Sequence, residues 1–245
     1  MKMIKIAIFG DIHGNLPALE TVLNDIEVRG IKQKYCLGDL VDFAPWGNEV
    51  IDKIKKLNIS CIMGNHDERI GRDLPIIPIA RHSEIETEAR FIAINHSKKT
   101  ITADNKQFLA ELPFHIKLNY IIGQKHWNIQ LVHASIDSNT NYIYESEDDE
   151  IFNAMFTESK ADIIFMGHTH LSYIKQIEDK WAVNTGSVGR SREENRLASY
   201  AILTLTEEKL ETEIIQLTYP IDKVVEAIEN SEIPNYYAHF LLNKA

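Results

Sequence analysis

The stretch Tyr35-Cys36-Leu37-Gly38-Asp39-Leu40-Val41-Asp42 reads as an apolar strand that stops at Gly38 and delivers two carboxylates. A carboxylate at the end of a buried strand has two lone-pair faces, so Asp39 is a candidate to bridge two metal ions, one on each oxygen. Four other stretches end in the same way. Ile6-Ala7-Ile8-Phe9 runs into Gly10-Asp11-Ile12-His13, and Ile59-Ser60-Cys61-Ile62-Met63 runs into Gly64-Asn65-His66-Asp67. Ile129-Gln130-Leu131-Val132 stops at His133, and Ile163-Ile164-Phe165-Met166 stops at Gly167-His168-Thr169-His170. Five strands that bring metal-type ligands to one edge predict an α/β fold, because open α/β sheets carry their sites outside the carboxyl ends of the strands.

Outward from these blocks, residues 3 to 9 form a nearly continuous apolar strand, the pattern of a sheet covered on both faces. Asn15 caps a helix with Pro17 in its first turn, and Leu19, Val22, Leu23 and Ile26 recur at helical spacing up to Gly30. A strand at 33 to 37, a helix at 46 to 57 and a strand at 58 to 63 follow, which implies right-handed crossovers and a mostly parallel sheet. From Glu68 the pattern changes. Helices are expected at 83 to 96 and 104 to 111, with Glu84, Glu86, Glu88 and Arg90 as a solvated face. Residues 70 to 112 are a candidate helical cap, either a lid over the ligand edge or an insertion packed on the sheet. Residues 114 to 122 and 126 to 132 form a hairpin around Gly123-Gln124, and 146 to 158 a helix before the strand at 161 to 166. Strands near 172 to 177, 180 to 184, 198 to 205 and 210 to 216 make the second half richer in antiparallel pairing. A helix from Asp222 to Asn230 completes the core, and the tail to Ala245 carries no signal. No repeat, low-complexity run or Pro/Gly-rich linker divides the chain, so residues 1 to 245 are expected to form one domain.

The 245 residues, 44% apolar and 25% charged, have the composition of a soluble globular protein. A net charge of -10 disfavours a footprint on duplex nucleic acid and leaves room for a small phosphorylated substrate held by metal ions. Cys36 and Cys61 sit in apolar strands as small buried hydrophobes, without disulfide spacing. The run after Met1-Lys2 lacks a signal peptide's cleavage site, and no stretch is long enough to span a bilayer. These features predict a cytoplasmic protein with no membrane attachment, and leave its oligomeric state open.

Collected, the strand-end residues are Asp11, His13, Asp39, Asn65, His133, His168 and His170. Imidazole, carboxylate and amide oxygen without thiolate suit two divalent ions such as Mn, Fe, Ni, Zn or Mg, with manganese the first choice. Seven ligands exceed what one four- or five-coordinate ion takes and match two ions that share Asp39. Such a pair, roughly 3.5 to 4 Å apart, holds a hydroxide at neutral pH and clamps a phosphoryl group during in-line attack. His66 follows Asn65 directly, which turns its ring toward a departing alkoxide, as a general acid requires. A neighbouring carboxylate would set its tautomer, with Asp42 the first candidate and Asp67 the second.

Asp11-Ile12-His13-Gly14-Asn15, Gly38-Asp39-Leu40-Val41-Asp42, Gly64-Asn65-His66-Asp67, Val132-His133 and Gly167-His168-Thr169-His170 resemble the five blocks of the calcineurin-like metallophosphoesterase superfamily. Asn184-Thr185-Gly186-Ser187-Val188-Gly189 is similar to a stretch of its small bacterial and archaeal phosphodiesterase branch. The resemblance implies a four-layer sandwich of two mixed β-sheets flanked by helices. It implies one ion on Asp11, His13 and His170, a second on Asn65, His133 and His168, Asp39 between them, and His66 as leaving-group acid paired with Asp42.

The family's phosphoprotein phosphatases carry a phosphate-gripping Arg after the second block and another before the third. Phe43 and Met63 stand there instead, and neither can make a bidentate guanidinium contact. Arg190 and Arg192 are candidate substitutes, and Tyr142, with Tyr144 nearby, is a candidate to stack a nucleobase or aryl leaving group. Ala134 replaces the branch's usual Gly after His133. The expected function is hydrolysis of a phosphodiester or nucleotide-type phosphoanhydride by a metal-bridging hydroxide. The alternatives are a phosphomonoesterase, including a phosphoprotein phosphatase, and a non-catalytic scaffold on the same fold.

Overall fold

A computed structural model describes residues 3–80 and 82–243; Met1, Lys2, Lys244, Ala245 and Arg81, within the candidate cap, lie outside the described residues. The chain runs through β1 (Ile4–Phe9), α1 (Leu16–Val28), β2 (Gln33–Cys36), α2 (Gly47–Lys56), β3 (Ser60–Cys61), α3 (Asn65–Gly71), α4 (Glu84–Thr100) and α5 (Ala103–Glu111). It continues with β4 (His115–Ile122), β5 (Lys125–Val132), α6 (Asp149–Ser159), β6 (Ile163–Met166), β7 (Ser172–Ile177) and β8 (Lys180–Thr185). It ends with β9 (Ala198–Leu205), β10 (Leu210–Leu217), α7 (Ile221–Glu229) and α8 (Tyr236–Leu241).

Among the described residues the strands form two five-stranded sheets, ordered β10-β9-β1-β2-β3 and β4-β5-β6-β8-β7. Both are mixed. In the first, β1, β2 and β3 are parallel and β9 runs antiparallel to β1 and β10. In the second, β5, β6 and β8 are parallel, with β4 and β7 antiparallel on the two edges. The continuous apolar strands follow from burial on both faces. Ile6 and Ile8 of β1 meet Leu131, Ile163 and Phe165 between the sheets, while Ala7 and Phe9 face the core under α1, α2 and α7. In β6, Ile163 and Phe165 point between the sheets and Ile164 and Met166 point to α6. Helices outside and sheets inside give the four-layer sandwich that the family resemblance implied.

Two elements escaped the periodicity reading. The chain from Asn65 is helical at once, but α3 has only 7 residues, too few for an apolar repeat to register. The tail forms α8, whose Tyr237, Ala238 and Leu241 are buried. The solvated face expected on α4 is also corrected. Arg90 is buried and donates from Nη1 to the Ile77 carbonyl (3.0 Å). Its position lies on the stripe that buries Ala93, Ile94 and Ser97, three, four and seven residues further on, so helical geometry turns it inward.

Candidate active site

The carboxyl ends of both sheets meet at one place. The Asp11 amide donates to the Gly38 carbonyl (2.9 Å) and the Gly167 amide to that of His133 (2.8 Å), which tie neighbouring strand ends together. Across the sheets, the His168 amide reaches the Asp11 carboxylate (3.1 Å) and the Gly189 amide the Asp11 carbonyl (3.0 Å). The Asn184–Gly189 stretch is a brace: Asn184 Nδ2 donates to the Gly167 carbonyl (2.7 Å) and Ser187 Oγ to that of Asp11 (2.7 Å). Turning side chains off these strand ends demands unusual backbone. Asp11 (φ 53°), His13 (51°), Asp39 (52°), Asp42 (74°), His168 (66°) and His170 (61°) all occupy the left-handed region. Each such residue costs about 1 kcal/mol or more, and strain gathered at one edge is a mark of a functional site.

Six of the seven strand-end residues fall into two buried groups that share a member. Asp11, His13, Asp39 and His170 each offer a ligand atom within 4.8 Å of the others, as do Asp39, His133 and His168. The seventh, Asn65, joins the second group through Oδ1, 3.1 Å from His133 Nε2. Asp39 belongs to both groups. Its Oδ1 accepts the His66 amide (2.8 Å), and its Oδ2 lies 3.7 Å from His13 Nε2 and 3.5 Å from His133 Nε2. The Oδ2 oxygen thus lies within 4 Å of an imidazole from each group. Gly64 is required here, since a Cβ at that position would stand 2.1 Å from Asp39 Oδ1.

The imidazoles are held with one ring nitrogen toward the centre. Nδ1 of His13, His133 and His170 donates to the carbonyls of Val41 (3.1 Å), Leu37 (2.8 Å) and Arg190 (2.8 Å), which leaves Nε2 facing inward. His168 is reversed: Nε2 donates to the Thr140 carbonyl (3.1 Å), which leaves Nδ1. Burial, with neighbouring rings, lowers the pKa of His13 and His168 well below the usual value, and burial lowers that of His170 despite Asp11. Burial also works against a charged His133, but Asp39 and Asp11 outweigh it and push its pKa up to about 10. Burial opposes ionisation of Asp39, yet His133 and His66 hold it well below the carboxylate range. Nitrogen and oxygen donors converging on shared points, with outer nitrogens fixed by carbonyls, fit a divalent metal ion.

His66 stands beside these groups on the first turn of α3. Its Nδ1 is 2.5 Å from Asp42 Oδ2, and its ring meets Phe43 edge-on at 4.9 Å. Asp67 is committed elsewhere, accepting the amides of Asp39 (2.7 Å), Leu40 (2.8 Å) and Gly64 (3.0 Å).

Asp39, Asn65, His66, His168 and His170 open onto a cleft of about 280 Å³. Arg190, Arg192 and Tyr142 line it; Tyr142 lies 4.1 Å from the His168 ring, and the Arg190 guanidinium sits 4.5 Å over Phe43 and 4.6 Å over Phe240. The far wall comes largely from the candidate cap at residues 70 to 112, although none of its side chains was named as a site residue from the sequence. It consists of Ile77, Pro78, Ile79, Arg69, Arg90 and Tyr237, with His82 and Glu86. A signal for Arg69 existed in its place four residues after Asn65, on one helix face; none existed for Arg90 or Tyr237.

The sequence of a calcineurin-like phosphoesterase superfamily domain matches residues 4–208. An uncharacterised protein of Methanocaldococcus jannaschii is 33% identical, over 94% of each chain. The fold is similar to a metallophosphoesterase from Sphaerobacter thermophilus (TM-score 0.76, 24% identity, 99% of each chain) and a hypothetical protein from Pyrococcus horikoshii (TM-score 0.81, 20% identity, 97% of each chain). With a matching domain over most of its length and a buried Asp/His cluster at the strand ends, the chain belongs to the calcineurin-like phosphoesterase superfamily.

Proposed function

We propose that this protein is a two-metal phosphoesterase that hydrolyses a phosphodiester or a nucleotide-type phosphoanhydride. The observation that carries the reading is Asp39 Oδ2, set between two buried groups of metal-type ligands that share a cleft with His66. One ion would be held by Asp11, His13, His170 and Asp39, and the other by Asn65, His133, His168 and Asp39. When bound, two divalent ions, manganese first among them, supply Lewis acidity toward phosphoryl oxygens and an acidified water.

The protein residues complete the chemistry. His66, with Nδ1–H donated to Asp42, presents Nε2 to the cleft, so that a proton there passes to the departing oxygen. Asp42 fixes the tautomer of the ring. Arg190 and Arg192 bind phosphoryl oxygens, and Tyr142 flanks the leaving group. Phe43 in place of a guanidinium weighs against phosphoprotein hydrolysis; its ring instead supports Arg190. Both cysteines are free and buried, in keeping with a cytoplasmic setting.

The test is turnover of bis-p-nitrophenyl phosphate against p-nitrophenyl phosphate in Mn2+. The diester is expected to be preferred; a strong preference for the monoester would reverse the order of substrates. Two bound metals with no turnover on a broad phosphate panel would favour a scaffold.

A further inference from the structure

Four guanidinium groups, from Arg69, Arg90, Arg190 and Arg192, line the cleft beside the Asp39-centred ligands. Among the described residues the arginines in ion pairs with carboxylates are Arg29 and Arg72, and none of these four, although the chain holds 36 acidic residues against 26 Lys and Arg. The contrast is local. Arg72, one turn past Arg69, is paired with Glu68 (2.6 Å), whereas Arg69 Nη1 is buried with no hydrogen-bond partner among the described residues. Arg190 has aromatic faces in Phe43 and Phe240, and Arg192 stands 6.0 Å from the Tyr142 ring. Arg90, 6% exposed, has one carbonyl contact, to Ile77. Burial and the like charge of Arg69 both lower the Arg90 pKa, so these two groups sit close enough to repel. Buried charge of one sign without counter-charge is unfavourable unless an anion completes it. Among the described residues Glu86 is the one carboxylate besides Asp39 on the cleft wall, and His82 lies 3.5 Å from it.

We propose that the cleft takes a substrate with at least two linked phosphoryl groups, one at the Asp39-centred ligands and the next held between Arg69 and Arg90. This rests on the phosphoesterase reading and narrows its substrate class to phosphoanhydrides. A diester carries one negative charge, which the metal-ligand end of the cleft meets on its own. An anhydride brings further charge, and Arg69 lies one helical turn, about 6 Å, along α3 from Asn65, in reach of the next phosphoryl group. Planar guanidinium forks suit the non-bridging oxygens of that group.

The experiment is calorimetric titration of the metal-loaded protein with AMP and with α,β-methylene-ADP, which differ by one phosphoryl group, with metal content checked after each run. Methylphosphonate and methylenediphosphonate repeat the comparison without a nucleoside and distinguish a nucleotide from an inorganic chain. The diphosphate analogue is expected to bind about tenfold tighter or more, as one to two charge-assisted contacts provide. In Arg69→Gln that advantage is expected to fall below about threefold. Arg90→Lys, which keeps the charge and loses the fork, is expected to reduce it as well; thermal melts establish that both variants fold. Equal affinity of mono- and diphosphate in the unaltered protein, or an advantage that survives in both folded variants, overturns the proposal. Turnover of bis-p-nitrophenyl phosphate by the same preparation is read separately, so loss of the phosphoesterase reading is seen apart from the binding ratio.

Discussion

His66 Nδ1 lies 2.5 Å from Asp42 Oδ2, and the other oxygen of Asp42 is buried with no hydrogen-bond partner among the described residues. The carboxylate is therefore devoted to one imidazole. His66→Ala is expected to lower kcat on bis-p-nitrophenyl phosphate by about 10² or more, the scale of a lost general acid. Asp42→Asn is expected to lower it by a smaller factor, because the ring remains while its tautomer is released. Elemental analysis should find the metal content of both variants unchanged. Loss of metal in His66→Ala would place that residue among the ligands instead.

Asp39 Oδ2 lies between His13 Nε2 and His133 Nε2, so one substitution removes an anionic ligand from both groups. Asp39→Ala is expected to lose at least one metal ion by elemental analysis and to lose turnover with it. Asp11→Ala, which touches one group, is expected to lose less. An Asp39→Ala protein with unaltered stoichiometry would refute the bridge.

How far the sequence reached can be seen by comparing Asp39 with Arg90. Asp39 follows an apolar strand and a glycine, and the same grammar recurs at Asp11, Asn65 and His168, while His133 follows its apolar strand directly. Strand ends carry this signal because a buried strand is nearly continuous hydrocarbon and its exit is abrupt. Ile6–Phe9 and Ile163–Met166 revealed the sheets for the same reason. Arg90 belongs to a helix whose exposed and buried faces are both polar in part, with Glu86 and Ser97 also turned inward, so no periodicity separates it from the surface. Tyr237 enters from a 6-residue helix, whose single turn and a half leaves no pattern. That Asp39 Oδ2 is the oxygen near both His13 and His133 was equally beyond the sequence, since it depends on where the His66 amide falls on Oδ1.

Metal binding should be coupled to protons. In chelator-treated protein, burial opposes charge on His133 but Asp39 and Asp11 hold it as imidazolium, with a pKa near 10. Nδ1–H stays on the Leu37 carbonyl, so the proton displaced on metal loading is the one on Nε2. A raised pKa means that the proton is bound throughout the neutral range, and affinity therefore falls as pH drops and rises as pH increases toward 10. Calorimetry in buffers of different ionisation enthalpy is expected to show about one proton released at pH 7 on this account. No buffer dependence would mean that His133 is already neutral.

The Asp39 loop is held from two sides, and each can be tested without touching a ligand. Gly64 leaves no room for a Cβ, which would lie 2.1 Å from Asp39 Oδ1. Gly64→Ala must displace that carboxylate, and a weakening of metal affinity of about 10- to 100-fold is expected, the range for a ligand whose support is disturbed. Asp67 acts on the backbone, where its carboxylate accepts three amides, including that of Asp39 itself. Asp67→Ala leaves those buried donors unmet at about 1 to 3 kcal/mol each, part of it recovered by water. In a chain of this size a net loss of about 3 kcal/mol lowers Tm by about 6 to 12 °C. The two variants should therefore separate: Gly64→Ala retains its melting temperature more fully than its metal, and Asp67→Ala loses both. If Asp67→Ala melts with the unaltered protein, the Asp39 turn holds its left-handed backbone without help, and Gly64 alone shapes the approach to the metal.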